Sequence, residues 1–171
     1  TLNQTLKAKI FKKIIVTSDS KKIINYANTI KGIDVIKRPK LLSADKSKTE
    51  DAVYHACKKL KEQNIKFKYI FILEPTSPFR SLETIIKASK IITMKSIDSV
   101  ITLTRNKNAK IQIKNNIIKK YDKQRRRQER KYNYFEASVL WAIKSEKFFN
   151  KRNLITKKTF GLLVNEVESI D

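Results

Sequence analysis

Glycine, cysteine and proline are scarce in this chain of 171 residues, which contains two, one and three of them. A single cysteine, Cys57, excludes an intrachain disulfide and any zinc site built from a cysteine cluster. Long apolar runs are also missing, since none approaches the roughly 18 residues that a membrane span needs. The first residues lack the apolar core of a secretory signal peptide. A reducing cytoplasm is therefore the expected location.

Acidic residues are few as well, because 16 Asp and Glu stand against 39 Lys and Arg and give a net charge of +23. Such a charge often indicates nucleic-acid binding. Here lysine is spread along the whole chain, and Ile and Asn are also abundant, which is typical of A/T-rich codon usage. We therefore interpret most of the charge as generic surface. One dense cluster, residues 123–131, is a candidate anion-binding segment.

Hydrophobic residues make up 40% of the chain, enough for the core of a single domain over residues 1–171. Strand patterns alternate with helical patterns along most of it. The strand patterns cover 13–18, 33–36, 68–73, 98–104, 139–143 and 160–164, and the helical patterns cover 20–30, 49–60 and 81–92. This order predicts an α/β fold, a three-layer α/β/α Rossmann-like sandwich around a mostly parallel sheet.

A β-rich stretch at residues 105–143 interrupts the alternation. Within it, residues 109–121 have the pattern of a hairpin around Asn115 and Asn116. We interpret the stretch as an insertion that forms a dimer contact or covers the site.

Ligands of such sheets bind at the carboxyl ends of the strands, where two polar segments fall, 17–19 and 74–80. The second segment reads Glu-Pro-Thr-Ser-Pro-Phe-Arg and follows the strongest strand pattern of the chain. Its prolines restrict the backbone, so that Glu74 and Arg80 point in defined directions. The alternative is a plain strand-to-helix turn in which Ser81 caps the next helix.

Residues 74–80 resemble the Gln-Pro-Thr-Ser-Pro-Leu-Arg motif of the acylneuraminate cytidylyltransferases, the CMP-sialic acid synthetase family. Four further segments resemble motifs of that family in the same order. They are residues 15–20, residues 38–49, the Arg127-Gln128 pair and residues 168–171. Five ordered matches cover nearly the whole chain, which makes the resemblance specific although each match by itself is weak.

The resemblance implies a nucleotidyltransferase that transfers CMP from CTP to an acidic 2-keto sugar and releases pyrophosphate, with Mg²⁺ as cofactor and a homodimer as the assembly. It assigns nucleotide binding to Arg38, Asp45, Ser47 and Thr49, and sugar binding to Glu74, Thr76, Ser77, Arg80 and Gln128. Arg127 and Asp171 are the implied catalytic residues, and Asp171 is the implied metal ligand.

Several of these residues also have simpler interpretations. Asp45 and Ser47 can shape their loop through local hydrogen bonds. The cluster around Arg127 can be a solvated basic strip or a nucleic-acid patch, although the other matches favour an anionic substrate. His55 is expected to pack on its helix, and Asp171 without the family match would be a solvated carboxylate.

The chain departs from the family in its phosphate-binding and sugar-binding segments. The glycine-rich Ala-Arg-x-Gly-Ser-Lys loop, which cradles the triphosphate, is absent. We therefore expect the chain to be truncated and inactive by itself. Glu74 replaces the usual Gln, Glu-Ala-Ser at 136–138 replaces an Asn-Gly pair, and Trp141 replaces a Tyr. With these changes the sugar pocket need not be that of N-acetylneuraminate, and a related nonulosonate or another 2-keto acid sugar is an equal expectation.

Two other functions stay open on the sequence. One is a noncatalytic basic α/β module that binds nucleic acid, and the other is a nucleotidyltransferase of the same fold that uses another nucleotide or sugar. Salt-dependent binding to generic DNA would favour the first of these. Stabilisation by CTP but not by ATP or UTP would favour the cytidylyltransferase over the second of these.

Overall fold

The computed structural model of the chain describes residues 1–44, 46–121 and 126–170, with Arg127 described through its backbone. The helices are α1 (Leu2–Ala8), α2 (Lys21–Asn28), α3 (Thr49–Glu62), α4 (Leu82–Ile92) and α5 (Ser145–Lys151), with 3-10 turns at Lys40–Leu42 and Arg127–Glu129. The strands are β1 (Ile15–Ser18), β2 (Asp34–Lys37), β3 (Tyr69–Ile72), β4 (Ser99–Asn106), β5 (Ile111–Lys114), β6 (Ile117–Tyr121), β7 (Asn133–Lys144) and β8 (Thr159–Leu163).

The central sheet has the strand order β3-β7-β4-β8. Strands β4 and β8 are parallel neighbours, whereas β7 runs antiparallel to both β3 and β4. Strands β3, β4 and β8 therefore share one direction and β7 is the reversed member. A separate parallel pair, β1 and β2, precedes this sheet in the chain. The predicted mostly parallel sheet is confirmed, and β7 is its antiparallel exception.

Helices cover both faces of the sheet. On one face α1 and α4 pack together, and Ile85, Ala88 and Ile92 of α4 bury their side chains against Val100 and Leu140. This spacing of three and four residues is the apolar stripe that an amphipathic helix presents to a sheet. The helix begins at Ser81, whose Oγ accepts a hydrogen bond from the Thr84 N–H at 3.0 Å.

The other face carries α3 and α5, whose contact residues Cys57 and Phe148 pack with Ile70 and Ile143 of the sheet. Helices on two faces of one sheet make the three-layer sandwich that the sequence predicts. Burial raises the pKa of the Cys57 thiol to about 12, so this cysteine is a packing residue. None of the helices in the described ranges is both long and apolar enough to cross a membrane.

Strand β7 contains an irregular segment beside β4. The pairing changes from Ile101 with Trp141 to Leu103 with Glu136, so residues 137–140 bulge out of the ladder. The hydroxyl of Thr102 fills this gap, because it donates to the Leu140 carbonyl at 3.1 Å and accepts from the Leu140 N–H at 3.0 Å. Bulges of this kind re-aim a strand next to functional sites.

The predicted β-rich stretch at 105–143 contains two different structures. Strands β5 and β6 form the expected hairpin, with positive φ angles at Asn115 and Asn116 as in a two-residue hairpin turn. From Asn133 onward the chain returns to the central sheet as β7. The hairpin, rather than the whole stretch, is therefore the part that projects from the sandwich.

Candidate functional site

The loop at residues 74–80 is closed on itself by the buried guanidinium of Arg80. This side chain is 1% exposed. Its Nη2 donates to the Glu74 carbonyl at 2.7 Å, and its Nε donates to the Val139 carbonyl in the β7 bulge at 2.6 Å. Its Nη1 donates to the Thr1 hydroxyl at 3.1 Å. One side chain thus joins both ends of the loop to β7 and to the start of α1.

Arg80 remains charged at neutral pH. Burial lowers the pKa of its guanidinium to about 10, and the carboxylates of Glu168 and Glu74 oppose that decrease. The sequence assigned Arg80 to sugar binding, but the structure directs its hydrogen-bond donors to the protein. Its geometry suits a residue that shapes the loop. Arg80 would therefore affect a bound sugar through the conformation of the loop.

Ser77 belongs to the same buried layer, whereas Thr76 does not. Ser77 is 1% exposed, and its Oγ donates to the Ser138 carbonyl in the β7 bulge at 3.2 Å. Thr76 and Phe79 are exposed at the surface of the loop. Of the two predicted sugar-binding hydroxyls, that of Thr76 is therefore the one a ligand can reach.

The start of α3 meets the loop through a direct contact between Thr49 and Glu74. Thr49 is the first residue of α3, and its Oγ1 donates to Glu74 Oε1 at 3.3 Å. The sequence assigned Thr49 to the nucleotide and Glu74 to the sugar, so the structure places members of the two predicted sets side by side. The glutamate carboxylate accepts a hydrogen bond from the Thr49 hydroxyl, as the amide oxygen of a glutamine at this position could also do.

A cationic cleft lies beside the ends of β1 and β2. It has a volume of about 350 Å³, and its lining residues are Asp19, Lys21, Lys37, Arg38, Pro39 and Lys40. Four cations and one carboxylate favour an anionic ligand. The Arg38 N–H donates to the Ser18 carbonyl at 2.8 Å, which anchors the residue at this end of the strand pair.

Two buried polar atoms at this end, Thr17 Oγ1 and Arg38 Nε, have no hydrogen-bond partner within the described ranges, and neither has His55 Nδ1 on the neighbouring α3. Thr17 belongs to β1, Arg38 follows β2, and His55 lies on α3, which packs against β1. Buried polar atoms without partners are uncommon in folded proteins. They suit a site whose hydrogen bonds are completed by a polar ligand, which keeps Arg38 a candidate for nucleotide binding.

The other predicted residues are less connected to the loop. Ser47 donates its hydroxyl to the Leu41 carbonyl at 3.0 Å and so shapes its own segment. Gln128 has an exposed side chain, and its carbonyl accepts from Lys107 Nζ at 2.8 Å near the end of β4. Asp45, Asp171 and the side chain of Arg127 lie outside the described residues.

A family model described as cytidylyltransferase matches residues 1–163 of the chain. The chain belongs to the cytidylyltransferase family. The match includes the cleft at Arg38, the start of α3 and the 74–80 loop, so all three contribute to a segment that the family shares.

One curated relative of this cytidylyltransferase chain is an N-acylneuraminate cytidylyltransferase of Escherichia coli, 33% identical over 107 residues. Those residues are 62% of this chain and 24% of the relative, so the chain spans about a quarter of that protein's length.

Solved structures share the fold at low sequence identity. A 4-diphosphocytidyl-2C-methyl-D-erythritol synthase of Anaerococcus prevotii is 17% identical with a TM-score of 0.65, covering 98% of this chain and 76% of that one. Another synthase of that name is 9% identical with a TM-score of 0.73, covering 98% and 78%. A CMP:2-keto-3-deoxy-manno-octonic acid synthetase, complexed with CTP, is 8% identical with a TM-score of 0.62, covering 95% and 77%.

Sequence reasoning missed the role of Glu168. Its side chain is 6% exposed and its Oε2 accepts from the Ser81 N–H at 2.9 Å, immediately after Arg80. The family resemblance included Glu168 in a motif without giving it a function. A buried carboxylate at the start of α4 could not be predicted from residues that lie 87 positions apart.

The described residues contain no preformed metal site. Within the described part of the chain no group of three His, Cys, Asp or Glu side chains could hold one. A donor set of one carboxylate, substrate phosphates and water is common for Mg²⁺. Asp171, the ligand that the family resemblance implies, lies outside the described residues, so Mg²⁺ binding there stays a prediction.

Proposed function

We propose that this protein transfers CMP from CTP to an acidic 2-keto sugar, a sialic-acid-like nonulosonate, and releases pyrophosphate. The observation that carries the proposal is the contact between Thr49 and Glu74, supported by the buried Arg80 behind it. It joins the segment assigned to the nucleotide to the loop assigned to the sugar. Membership of the cytidylyltransferase family and the similarity to an N-acylneuraminate cytidylyltransferase support the same substrates.

In the proposed reaction the anomeric hydroxyl oxygen of the sugar forms a bond to the α-phosphorus of CTP. The bond from that phosphorus to the bridging oxygen of pyrophosphate breaks, and the hydroxyl proton leaves with water or a base. Catalysis of this kind depends on positioning and on stabilising phosphoryl charge. Arg127 and Asp171 are the proposed catalytic residues. Mg²⁺ on Asp171, when bound, would offset the negative charge of the phosphates.

Arg38 is proposed to bind the cytosine ring. Its guanidinium can donate to the base oxygen and ring nitrogen, and its Nε is a buried donor without a partner among the described atoms. Asp45, Ser47 and Thr49 are the proposed neighbours of the nucleotide. Lys21, Lys37 and Lys40 would raise the local concentration of the anion without specifying its base.

Glu74, Thr76 and Gln128 are the proposed sugar contacts, with Ser77 and Arg80 supporting them from beneath. The carboxylate of Glu74 accepts hydrogen bonds where the family's glutamine amide can also donate them. It therefore favours a sugar that presents a hydroxyl or an ammonium group at this point. This is the reason to propose a nonulosonate other than N-acetylneuraminate as the natural substrate.

The 171-residue chain is proposed to be inactive alone. Its two glycines have other positions: Gly32 precedes β2 with a φ of +88°, and Gly161 lies within β8. Neither belongs to a glycine-rich loop that could cradle a triphosphate. Binding of CTP and sugar, rather than turnover, is therefore the property to measure on this chain.

The proposed sugar specificity can be tested by calorimetric titration in the presence of saturating CTP and Mg²⁺. We expect an acidic 2-keto sugar such as N-acetylneuraminate to bind, and its neutral reduced analogue without the carboxylate not to bind. The Glu74→Gln variant should bind N-acetylneuraminate more tightly, because it restores the amide of the family motif. Equal binding of the acidic and neutral sugars would contradict the proposed substrate class.

A further inference from the structure

Glu168 is a buried acidic side chain that no step above uses. It lies in the segment that follows β8 and is 6% exposed. Its Oε2 accepts from the Ser81 N–H at 2.9 Å and its Oε1 accepts from Asn165 Nδ2 at 3.3 Å. The Glu168 N–H in turn donates to Asn165 Oδ1 at 2.8 Å. Each carboxylate oxygen thus has a donor, which is the requirement for burying a charge of this kind.

The contact between Glu168 and the Ser81 N–H completes the capping of the α4 N-terminus by a residue that is distant in the sequence. In a capping box the N-cap side chain accepts from the third helical residue, and a Glu or Gln at that position accepts from the N-cap N–H. Ser81 supplies the first half by accepting from Thr84, but Thr84 has no carboxylate. The nearby Glu83 is paired with Lys87 at 2.7 Å. Glu168 therefore supplies the second half of the box.

The same carboxylate acts on Arg80, the residue immediately before Ser81. The Arg80 guanidinium donates to two carbonyl oxygens and a hydroxyl, none of which carries a full charge. Glu168 is the leading electrostatic influence that opposes the decrease of the Arg80 pKa on burial. Glu168 thus holds the Ser81 amide through a hydrogen bond and offsets part of the electrostatic cost of burying the adjoining Arg80 cation at the end of the 74–80 loop.

We propose that Glu168 is a positioning residue for the proposed reaction: it holds the junction of Arg80 and Ser81, and through it the shape of the 74–80 loop. The chain of contacts runs from Glu168 to the Ser81 N–H, through the backbone to the preceding Arg80, from Arg80 to the Glu74 carbonyl, and from Glu74 to Thr49. Its effect on ligand binding rests on the proposed function, whereas its effect on the loop does not.

The positioning role can be tested by amide hydrogen exchange on the unliganded full chain. In Glu168→Ala we expect the amides of residues 76, 77 and 79–81 to exchange about tenfold faster or more, since a buried hydrogen bond to a charged group is lost. Glu168→Gln should show a smaller increase, because its amide oxygen can still accept from Ser81. The matched control is Glu166→Ala, which removes the same side chain at an exposed position two residues earlier.

A general loss of packing would give a different result. If Glu168 only stabilised the fold, exchange would rise equally in the loop, in α4 and in the central sheet, and the melting temperature would fall with it. That outcome, or loop exchange equal to that of the Glu166→Ala control, would overturn the proposal.

Ligand titration separates this inference from the proposed function. With CTP and Mg²⁺ present, we expect Glu168→Gln to weaken N-acetylneuraminate binding by several-fold to about tenfold and to leave CTP binding within about twofold. Wild-type affinity for the sugar in both Glu168 variants would overturn the link to substrate. If the wild-type chain binds neither CTP nor sugar, the proposed function fails, and the exchange experiment still decides the role of Glu168.

Discussion

Arg80 illustrates how a single side chain can organise a site without facing the ligand. Its guanidinium offers donors in a rigid planar fork, and the structure directs them to Glu74, Val139 and Thr1. A lysine carries one point charge on a flexible stem and cannot reach all three acceptors together. The shape of the loop therefore requires an arginine at this position.

We predict that Arg80→Lys lowers the free energy of unfolding by about 3 kcal/mol, because buried acceptors lose their donors. For a chain of this size the melting temperature should fall by roughly 6–12 °C. Arg105→Lys is the matched control, since Arg105 is exposed and should change stability by less than about 0.5 kcal/mol. Equal melting temperatures for the two variants would contradict the buried role of Arg80.

Ser138 occupies a backbone conformation that is usual for glycine. Its φ is +49°, and its carbonyl accepts from Ser77 in the loop. The left-handed region costs a non-glycine residue on the order of 1 kcal/mol, and more if the side chain is β-branched. In the family resemblance described above, an Asn-Gly pair stands where this chain has Glu-Ala-Ser at 136–138.

We predict that Ser138→Gly keeps or slightly raises stability, because relief of strain offsets the extra freedom of glycine in the unfolded chain. Ser138→Val should lower the free energy of unfolding by about 1–2 kcal/mol. Denaturant titration measures both. A valine variant as stable as the glycine variant would show that the left-handed conformation is not required.

At the scale of secondary structure, the sequence predicts elements well where periodicity is strong and poorly where pairing partners are distant. The apolar run at 68–73 and the stripe of α4 were both recognised, and Ser81 caps α4 as expected. Helices α1 and α5 were not predicted, because seven residues carry about two turns of periodic signal. The antiparallel insertion of β7 depends on its neighbours in space, which the local pattern does not contain.

The same limit applies to the candidate site. The 74–80 loop and Thr49 were recognised as separate segments, and their contact follows from the fold. Arg80 and Ser77 were expected to face a sugar, but their burial depends on a β7 bulge that starts 57 or more residues later. Glu168 reaches α4 from the end of the chain for the same reason. Residue type therefore predicted where the site lies better than it predicted what each side chain does.

The β5–β6 hairpin is the element proposed to mediate the homodimer. One face carries the cross-strand pairs Ile111 with Tyr121 and Ile113 with Ile118, all at least 50% exposed. Gln112 pairs with Lys120 on the opposite face. An exposed apolar face of this kind is typical of an interaction surface.

We predict that the wild-type chain sediments as a dimer and that Ile113→Lys sediments as a monomer, because a charge on the apolar face must lose its hydration on association. Gln112→Lys adds the same charge to the opposite face of the hairpin and should leave the dimer intact. A wild-type chain that remains monomeric at its highest soluble concentration would rule out the proposed contact.

At the scale of the whole molecule, charge and fold together decide what the protein can bind. Residues 105–134 contain twelve Lys and Arg against two Asp and Glu, a net +10 of the chain's +23. This concentration is the observation that most favours nucleic-acid binding, and such binding would weaken steeply with salt. The residues that line the cleft at Arg38 and those of the 74–80 loop are not part of this stretch, whereas the proposed site residues Arg127 and Gln128 are.

Thermal denaturation of the 171-residue chain with CTP, UTP or ATP, each with Mg²⁺, tests the central claim most directly. A ligand at 100 times its dissociation constant stabilises the folded state by about 2.7 kcal/mol, which corresponds to roughly 5–10 °C for a chain of this size. We predict such an increase with CTP, a much smaller one with UTP and ATP, and loss of the CTP effect in Arg38→Met. Equal increases with all three nucleotides, or no increase with CTP, would contradict the account.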